Sequence, residues 1–347
     1  MKSLIEHPPF LYFMTFVMSL AVSSLLTPVL RWIALRLNIL DRPWSEVKTH
    51  QSPTPYLGGL AIWSGWALSL FAIRFFTHFP TGTLHSLRGI LIGSIIIMSL
   101  GLVDDIIPRG LGFKKKFLIQ ILAALLLIAF DIRLNFVTPY FMAFLLTVIW
   151  IVGITNAFNI VDIMDGLSSG IAFVASLAFL FISLPTEQIY VNFCAAALAG
   201  GLLGFIPYNL SKKRKIFMGD AGSLAIGFLL AAESLGTSYT KLNNIGVMAP
   251  LLILALPIYD TCLVSYLRIR KGQSPFLGSK DHFALRLEFM GFNRRQILAL
   301  TLLTSAVLSF GAFLVTRLPI LWALGVFVLS FILALITSYR LGQVEIK

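Results

Sequence analysis

The sequence predicts an all-α polytopic membrane protein, and three observations support this prediction. Apolar residues make up 58% of the 347 residues and charged residues only 12%, and the mean hydropathy is +0.89. A soluble domain carries about 25% charged residues, so this composition excludes an ordinary water-soluble globule. Apolar stretches long enough to cross a bilayer recur along the chain, and the remaining charges fall unevenly on the segments between them.

The apolar stretches predict eleven transmembrane helices in one domain over residues 1–347. A helix crosses a hydrocarbon core about 30 Å thick with roughly 20 apolar residues and satisfies its own backbone hydrogen bonds. The first stretch exceeds the roughly 7 to 15 residues of a signal-peptide core, which indicates an uncleaved span. The third and fourth carry charges near one end, so ten to twelve spans fit the sequence. The predicted spans are Phe10–Leu30, Leu57–Phe76, Leu84–Val103, Phe117–Val137, Tyr140–Ala157, Leu167–Leu184, Tyr190–Tyr208, Ala221–Leu235, Ile245–Leu267, Ile297–Val315 and Ile320–Tyr339.

The distribution of basic residues predicts which side of the membrane each segment faces. With the N-terminus outside, one side receives 21 of the 27 Lys and Arg residues. The positive-inside rule makes that side cytoplasmic, so the formal charge of +12 indicates membrane orientation rather than nucleic-acid binding. Cys194 and Cys262 fall inside apolar stretches and are interpreted as packing residues. The predicted cytoplasmic segments are 31–56, 104–116, 156–166, 209–220, 268–296 and the C-terminal tail.

Five aspartates lie near the predicted cytoplasmic ends of the helices. Acids close to a membrane are costly unless they face a wet cavity, a cation or a metal, which makes them functional candidates. Basic runs at 114–116 and 212–215 lie on the same side, and this combination suits a divalent cation that holds a phosphorylated substrate. The five residues are Asp104, Asp105, Asp162, Asp165 and Asp220.

Two of these acids are adjacent, and two belong to a regularly spaced polar motif. Asp104 and Asp105 end the third span and point about 100° apart on a helix, so one can bind a metal while the other accepts a proton. Asn156, Asn159, Asp162 and Asp165 recur at three-residue intervals, which predicts a hydrogen-bonding strip along one helical face.

Three further segments carry candidate ligands. Asp220 lies in a glycine-rich helix start, where it can ligate a cation or serve as an ordinary N-cap. Lys48 and His50 lie in a loop rich in Pro and Gly and can reach a phosphate, although the composition also fits an ordinary loop. In the late loop, Arg270 can bind a phosphate and His282 a phosphate or a leaving group. Asp260 and Glu233, deeper in their spans, are interpreted as supports or polar contacts between helices.

Taken in this order, the motifs resemble the polyprenyl-phosphate N-acetylhexosamine-1-phosphate transferase family, which is glycosyltransferase family 4. The resemblance runs from Asp41 to about Phe292. The spacing Lys48-x-His50-Gln51 and the string Ser274-Pro275-Phe276 are most similar to the branch that transfers GlcNAc-1-phosphate.

The resemblance implies transfer of a HexNAc-1-phosphate from a UDP-sugar to polyprenyl phosphate, with release of UMP, as the first step of a cell-envelope glycan. It implies Mg²⁺, or Mn²⁺ as an alternative, and a multi-pass protein of the bacterial inner membrane. A homodimer and an aspartyl-phosphate intermediate are left open. By position, Phe217 matches an aromatic residue that stacks on uracil, with Asp165 as hydrogen-bond partner of the base. The implied catalytic residues are Asp104, Asp105, Asp162 and His282; the substrate residues are Lys48, His50, Lys116, Asn159, Asp165, Asn209, Phe217 and Arg270; the metal ligand is Asp220.

Two departures from the family pattern bear on the alternatives. Ile163 replaces a glycine between the strip's acids, and His282 is the only histidine of a loop that usually carries two or three. The lone histidine argues against the muramoyl-pentapeptide branch of the same family. A magnesium-dependent membrane prenyltransferase fits the strip but needs a second acid motif, and a secondary transporter would carry its acids near mid-membrane.

Overall fold

A computed structural model describes residues 8–42, 52–107, 110–186, 189–237, 239, 243–275 and 278–344, and most of them are helical. The first half contains α1 (Pro8–Arg36), β1 (Leu40–Asp41), β2 (Thr54–Pro55), α2 (Gly58–Ile73), α3 (Thr81–Ile106), α4 (Phe113–Ala129) and α5 (Tyr140–Val161). The second half contains α6 (Leu167–Ser183), α7 (Ile189–Asn209), α8 (Gly219–Gly236), α9 (Ala249–Ile253), α10 (Ala255–Arg270), α11 (Phe283–Phe289), α12 (Arg294–Val315) and α13 (Ile320–Gly342). Short 3₁₀ turns occupy Leu184–Thr186 and Asn244–Met248.

The predicted multi-pass helical protein is confirmed. Each of the eleven predicted stretches contains a helix. Within the described residues, six helices are long and apolar enough to cross a membrane alone, namely α1, α3, α5, α7, α12 and α13, and the bent stretch 244–270 makes a seventh if it counts as one span. Helices α2 and α6 are apolar but only 16 and 17 residues long. The number of eleven spans and their orientation stay predictions.

One predicted span has a wrong boundary, and another is bent. The fourth, predicted to reach Val137, ends as helix α4 at Ala129, and Asp131 then takes a left-handed φ of 61° that ends helical geometry. The ninth, predicted as one span, bends by 68° between α9 and α10. Pro257 has no backbone N–H to donate to residue 253, which accounts for a break at this point.

Helix α8 forms the centre of the described fold. Every residue from Ala221 to Ser234 is buried, and α2, α3, α5, α6 and α7 pack around it. Helix α13 is the opposite case, because only Ala323 and Leu341 of its 23 residues are buried. An apolar helix exposed in this way is suited to lipid, whereas α8 is suited to the interior of a bundle.

Small residues bring α1 and α7 together. Ser19 Oγ donates to the carbonyl of Ala197 at 2.6 Å, and Ser23 Oγ donates to that of Gly201 at 2.7 Å. Close backbone approach with hydroxyl-to-carbonyl bonds is the usual way in which membrane helices associate, since lipid supplies no hydrophobic force between them.

A small sheet, not predicted from the sequence, positions the loop that leads to α8. Strands β1 and β2 pair antiparallel, with Leu40 opposite Pro55. The Phe217 N–H donates to the Pro55 carbonyl at 2.8 Å, and the Gly58 N–H donates to the Phe217 carbonyl at 3.0 Å. The start of α2 therefore holds the backbone just before Asp220.

Candidate active site

Two aspartates from distant parts of the chain share one lysine. Asp104 lies in the last turn of α3, Asp220 in the first turn of α8 and Lys116 in the first turn of α4. The Lys116 Nζ is 2.9 Å from Asp104 Oδ2 and 2.7 Å from Asp220 Oδ2. The Leu111 N–H donates to the other oxygen of Asp104. The two carboxylates therefore converge on a single cationic point.

Asp105 holds α3 against the start of α8. The N–H groups of Asp220 and Ala221 donate to its two carboxylate oxygens at 2.9 and 3.0 Å. A carboxylate at this position satisfies two unpaired helical donors and complements the positive end of the helix dipole. The hydroxyl of Tyr56 donates to the Asp105 carbonyl. The catalytic role of Asp105 stays a prediction, and the contacts of its side chain are those of a positioning residue.

Glycines allow this close approach of α3 and α8. Gly219 has a φ of 73°, and a Cβ at this position would lie 2.5 Å from Asp105 Oδ2. A Cβ on Gly101 would overlap the backbone of Ala221. Glycine therefore provides both the left-handed turn and the space that bring Asp220 to Asp104.

The third acid-bearing segment reaches the same place. Asn159, near the end of α5, donates from Nδ2 to Ser223 Oγ at 2.9 Å and also interacts with the Asp220 carboxylate. Asp162 directly follows α5. Burial, together with the negative charges of Asp220 and Asp165, raises the pKa of Asp162 to about 8. The raised pKa reflects the crowding of carboxyl groups at this place.

The polar strip is not one continuous helical face as predicted. Helix α5 ends at Val161, so only Asn156 and Asn159 share it, and the chain then turns to Gly166, whose φ is 77°. The side chain of Asn156 pairs with that of Gln120 rather than with an acid. The turn lets Asp162 stay near Asp220 while Asp165 points to another partner.

Asp165 pairs with Lys215, which also covers the ring of Phe217. The Lys215 Nζ is 2.7 Å from Asp165 Oδ2 and 5.0 Å from the centroid of the Phe217 ring. Asn209 braces both segments: its Oδ1 accepts from the Gly166 N–H at 2.6 Å, and its Nδ2 donates to the Ile216 carbonyl at 3.0 Å. The structure thus gathers three of the predicted substrate residues, Asp165, Asn209 and Phe217, next to the acid cluster.

The late loop has its own contacts. His282 Nδ1 lies 2.8 Å from Asp260 Oδ2, and the Phe283 N–H donates to Asp260 Oδ1 at 2.9 Å. His282 is buried, and its hydrogen bond goes to Asp260 rather than to any of the five predicted aspartates. The structure therefore does not bring His282 into contact with Asp104 or Asp220.

Of the remaining predicted substrate residues, the structure describes only Arg270. Arg270 is exposed, whereas Arg268 is buried and binds the carbonyls of Ser274 and Gly278. Lys48 and His50 lie outside the described residues. Sequence reasoning missed Lys215 as an individual residue, and its only signal was its place in the basic run opposite the acids.

The oxygen donors of this site suit a hard divalent cation. Within the described parts of the chain, no three His, Cys, Asp or Glu side chains are arranged to hold an ion. Mg²⁺ is usually bound by one or two carboxylates together with waters and substrate phosphates, so three protein ligands are not required. Oxygens of Asp104 and Asp220 already lie within 3 Å of one cationic atom, Lys116 Nζ.

These features define a multi-pass helical membrane protein with a carboxylate-rich site where several helices end. The model of glycosyl transferase family 4 matches residues 87–238, which include Asp104, Lys116, Asn159 and Asp220. A relative at 31% identity spans nearly the whole chain, and the chain belongs to this family.

Three curated relatives carry informative names. A Bacillus subtilis protein named a probable undecaprenyl-phosphate N-acetylglucosaminyl 1-phosphate transferase is 31% identical over 96% of this chain and 92% of its own length. A decaprenyl-phosphate N-acetylglucosaminephosphotransferase of Mycobacterium tuberculosis is 30% identical over 82% of this chain and 78% of its own. An undecaprenyl-phosphate alpha-N-acetylglucosaminyl 1-phosphate transferase of Escherichia coli O157:H7 is 28% identical over 80% and 77%.

Proposed function

We propose that the protein transfers GlcNAc-1-phosphate from UDP-GlcNAc to a polyprenyl phosphate such as undecaprenyl phosphate and releases UMP. The convergence of Asp104 and Asp220 on Lys116 is the observation that carries the proposal. The names of relatives that cover almost the whole chain support the same activity. The protein would lie in the inner membrane of a bacterium, and its site would face the cytoplasm, where nucleotide sugars are made. The product would be the first intermediate of a cell-envelope glycan.

The reaction requires positioning and charge neutralisation more than covalent chemistry by the protein. An oxygen of the lipid phosphate attacks the sugar-bearing phosphorus of the UDP-sugar, the bond between the two donor phosphates breaks, and UMP leaves. The sugar C1–O bond stays intact. Asp104 would position the attacking phosphate and accept any proton that it carries, and Lys116 would stabilise the negative charge that develops on the donor.

Residues next to this pair would hold the cation and the nucleotide. Asp220 would hold Mg²⁺, which when bound neutralises charge on the donor diphosphate. Asp105 and Asn159 would keep Asp220 in place, because both contact the start of α8. Phe217 and Asp165 would bind the uracil ring, and Asn209 holds the backbone between them.

A donor panel tests the proposal. Purified protein in nanodiscs is mixed with undecaprenyl phosphate and radiolabelled UDP-GlcNAc, UDP-GalNAc or UDP-MurNAc-pentapeptide, with Mg²⁺ or with EDTA. We expect lipid-extractable label and equimolar UMP from UDP-GlcNAc, lost with EDTA. Label from UDP-MurNAc-pentapeptide would assign the muramoyl branch, and absence of labelled lipid from every donor would refute the proposed transfer.

An Asp220 variant and a matched control distinguish a loss of catalysis from a loss of folding. Asp220→Asn should abolish labelled lipid while the protein remains monodisperse. Asp131→Asn removes the same charge from a residue that is 79% exposed and outside the site, so it should retain activity.

A further inference from the structure

Lys215 occupies the place where the proposed function puts the uracil ring. Its ammonium lies 5.0 Å from the centroid of the Phe217 ring and 2.7 Å from Asp165 Oδ2. Atoms of stacked rings approach to about 3.5 to 4 Å, so a base stacked on this face of Phe217 would overlap the ammonium. Lys215 also holds one of the two Asp165 oxygens, so a base that donates a hydrogen bond to this carboxylate competes with the ammonium for it.

The backbone around Lys215 is fixed, which leaves its side chain as the part that can move. Arg31 Nε donates to the Lys215 carbonyl at 3.2 Å. The next two residues are held as well, since Asn209 binds the Ile216 carbonyl and the Phe217 N–H binds the Pro55 carbonyl. The Lys215 side chain is 28% exposed and has a flexible four-carbon stem, so it can swing away without a change in the loop.

We propose that Lys215 is a displaceable latch on the uridine subsite: it covers Phe217 and neutralises Asp165, and the nucleotide must displace it in order to bind. This inference depends on the proposed function for the identity of the nucleobase. Uracil is suited to the exchange because it offers a ring to Phe217 and an N3–H donor to Asp165. The latch sets the affinity for the nucleotide and is not a group that takes part in phosphoryl transfer.

The latch makes a prediction opposite to that for an ordinary substrate lysine. In Lys215→Met the ion pair and the cation–π contact no longer compete, so UDP and uridine should both bind about 3- to 10-fold more tightly. A lysine that binds the diphosphate would instead weaken UDP binding and leave uridine unchanged. The KM for UDP-GlcNAc should fall by a similar factor with kcat retained.

Binding is measured by competition against radiolabelled UDP on the full-length protein in nanodiscs. Lys215→Arg preserves both contacts and should stay within about twofold of the wild type. Lys212→Met removes an equal charge from an exposed neighbour and should leave both affinities unchanged. A Lys215→Gln variant repeats the test with a polar side chain, so that the result does not depend on how Met packs.

The outcomes are separable. Wild-type protein that binds no UDP would overturn the uridine donor and thereby the proposed function. Wild-type protein that binds UDP, with Lys215→Met and Lys215→Gln binding it equally or more weakly, would refute the latch alone.

Discussion

Two acid-containing regions of this molecule differ in their balance of charge. At the start of α8, Asp104, Asp105 and Asp220 lie close together, and within the described residues Lys116 forms ion pairs with two of them, Asp104 and Asp220. In the late loop, a single carboxylate, Asp281, is bound by two cations: Arg286 at 2.6 Å and Lys271 at 2.7 Å.

The carboxylate of Asp281 is therefore neutralised within the loop, and its contacts are those of a structural support. Burial alone would raise the pKa of Asp281, but hydrogen bonds from Lys271, Ser279 and Arg286 lower it. Arg286 also donates to the carbonyls of Leu341 and Val344 and so ties the loop to the end of the chain.

The site at α8 is the reverse case, because its acids outnumber its cations. An uncompensated group of carboxylates near a membrane is unfavourable unless another positive charge completes it. The comparison indicates that charge balance, rather than the presence of acids, distinguishes the candidate site at α8 from the paired carboxylate of the late loop.

The largest effect is expected at Asp220. We expect Asp220→Asn to lower kcat for lipid transfer about 1,000- to 10,000-fold, as removal of a central catalytic group does. The measurement is formation of labelled lipid by purified protein, with Asp131→Asn as the matched control. If Asp220→Asn kept wild-type activity, the acid cluster would not be the catalytic site.

The next effect is on stability and separates the two regions. Arg286→Met leaves Asp281 buried with less compensation, which costs about 3 to 5 kcal/mol of unfolding free energy. The midpoint of denaturation in detergent should fall accordingly. Arg294→Met breaks an exposed pair with Glu288 and should change stability by at most about 1 kcal/mol. Equal effects of the two variants would contradict the structural role of the late loop.

A smaller effect is expected at Lys116. Lys116→Met removes a charged donor that contacts both Asp104 and Asp220, and we expect transfer to fall about 10- to 100-fold. Lys115→Met removes an exposed neighbour and provides the comparison. Identical rates for both variants would show that the bridging contact contributes nothing to catalysis.

The smallest effect on activity is expected at Glu233, at the far end of α8 from Asp220. Glu233 is buried, and neither of its carboxylate oxygens has a hydrogen-bond partner within the described structure. Glu233→Met removes a buried polar group without a partner and should raise stability by about 1 to 3 kcal/mol with transfer unchanged. The denaturation midpoint and the rate of lipid transfer are measured on the same preparation of the variant. Loss of transfer in Glu233→Met would show that the Glu233 carboxyl group is required for activity.

The local sequence was sufficient for the helical class and for most of the candidate residues. Stretches of roughly 20 apolar residues fold as helices in a bilayer because their backbone N–H and C=O groups must form hydrogen bonds within the stretch. The same local information failed at Asp131 and Pro257, where single residues ended or bent a predicted span. It also failed after Val161, because a three-residue spacing does not reveal where a helix stops.

Only the tertiary structure decided which of these residues meet. Lys116 and Asp220 are 104 positions apart, and their contact depends on Gly101 and Gly219, which let α3 approach the start of α8. Packing of distant segments likewise placed Asp105 at the start of α8, His282 beside Asp260 and Lys215 over the ring of Phe217. The physical reason is that residue spacing determines the faces of one helix, whereas partners on different helices are selected by how closely their backbones can approach.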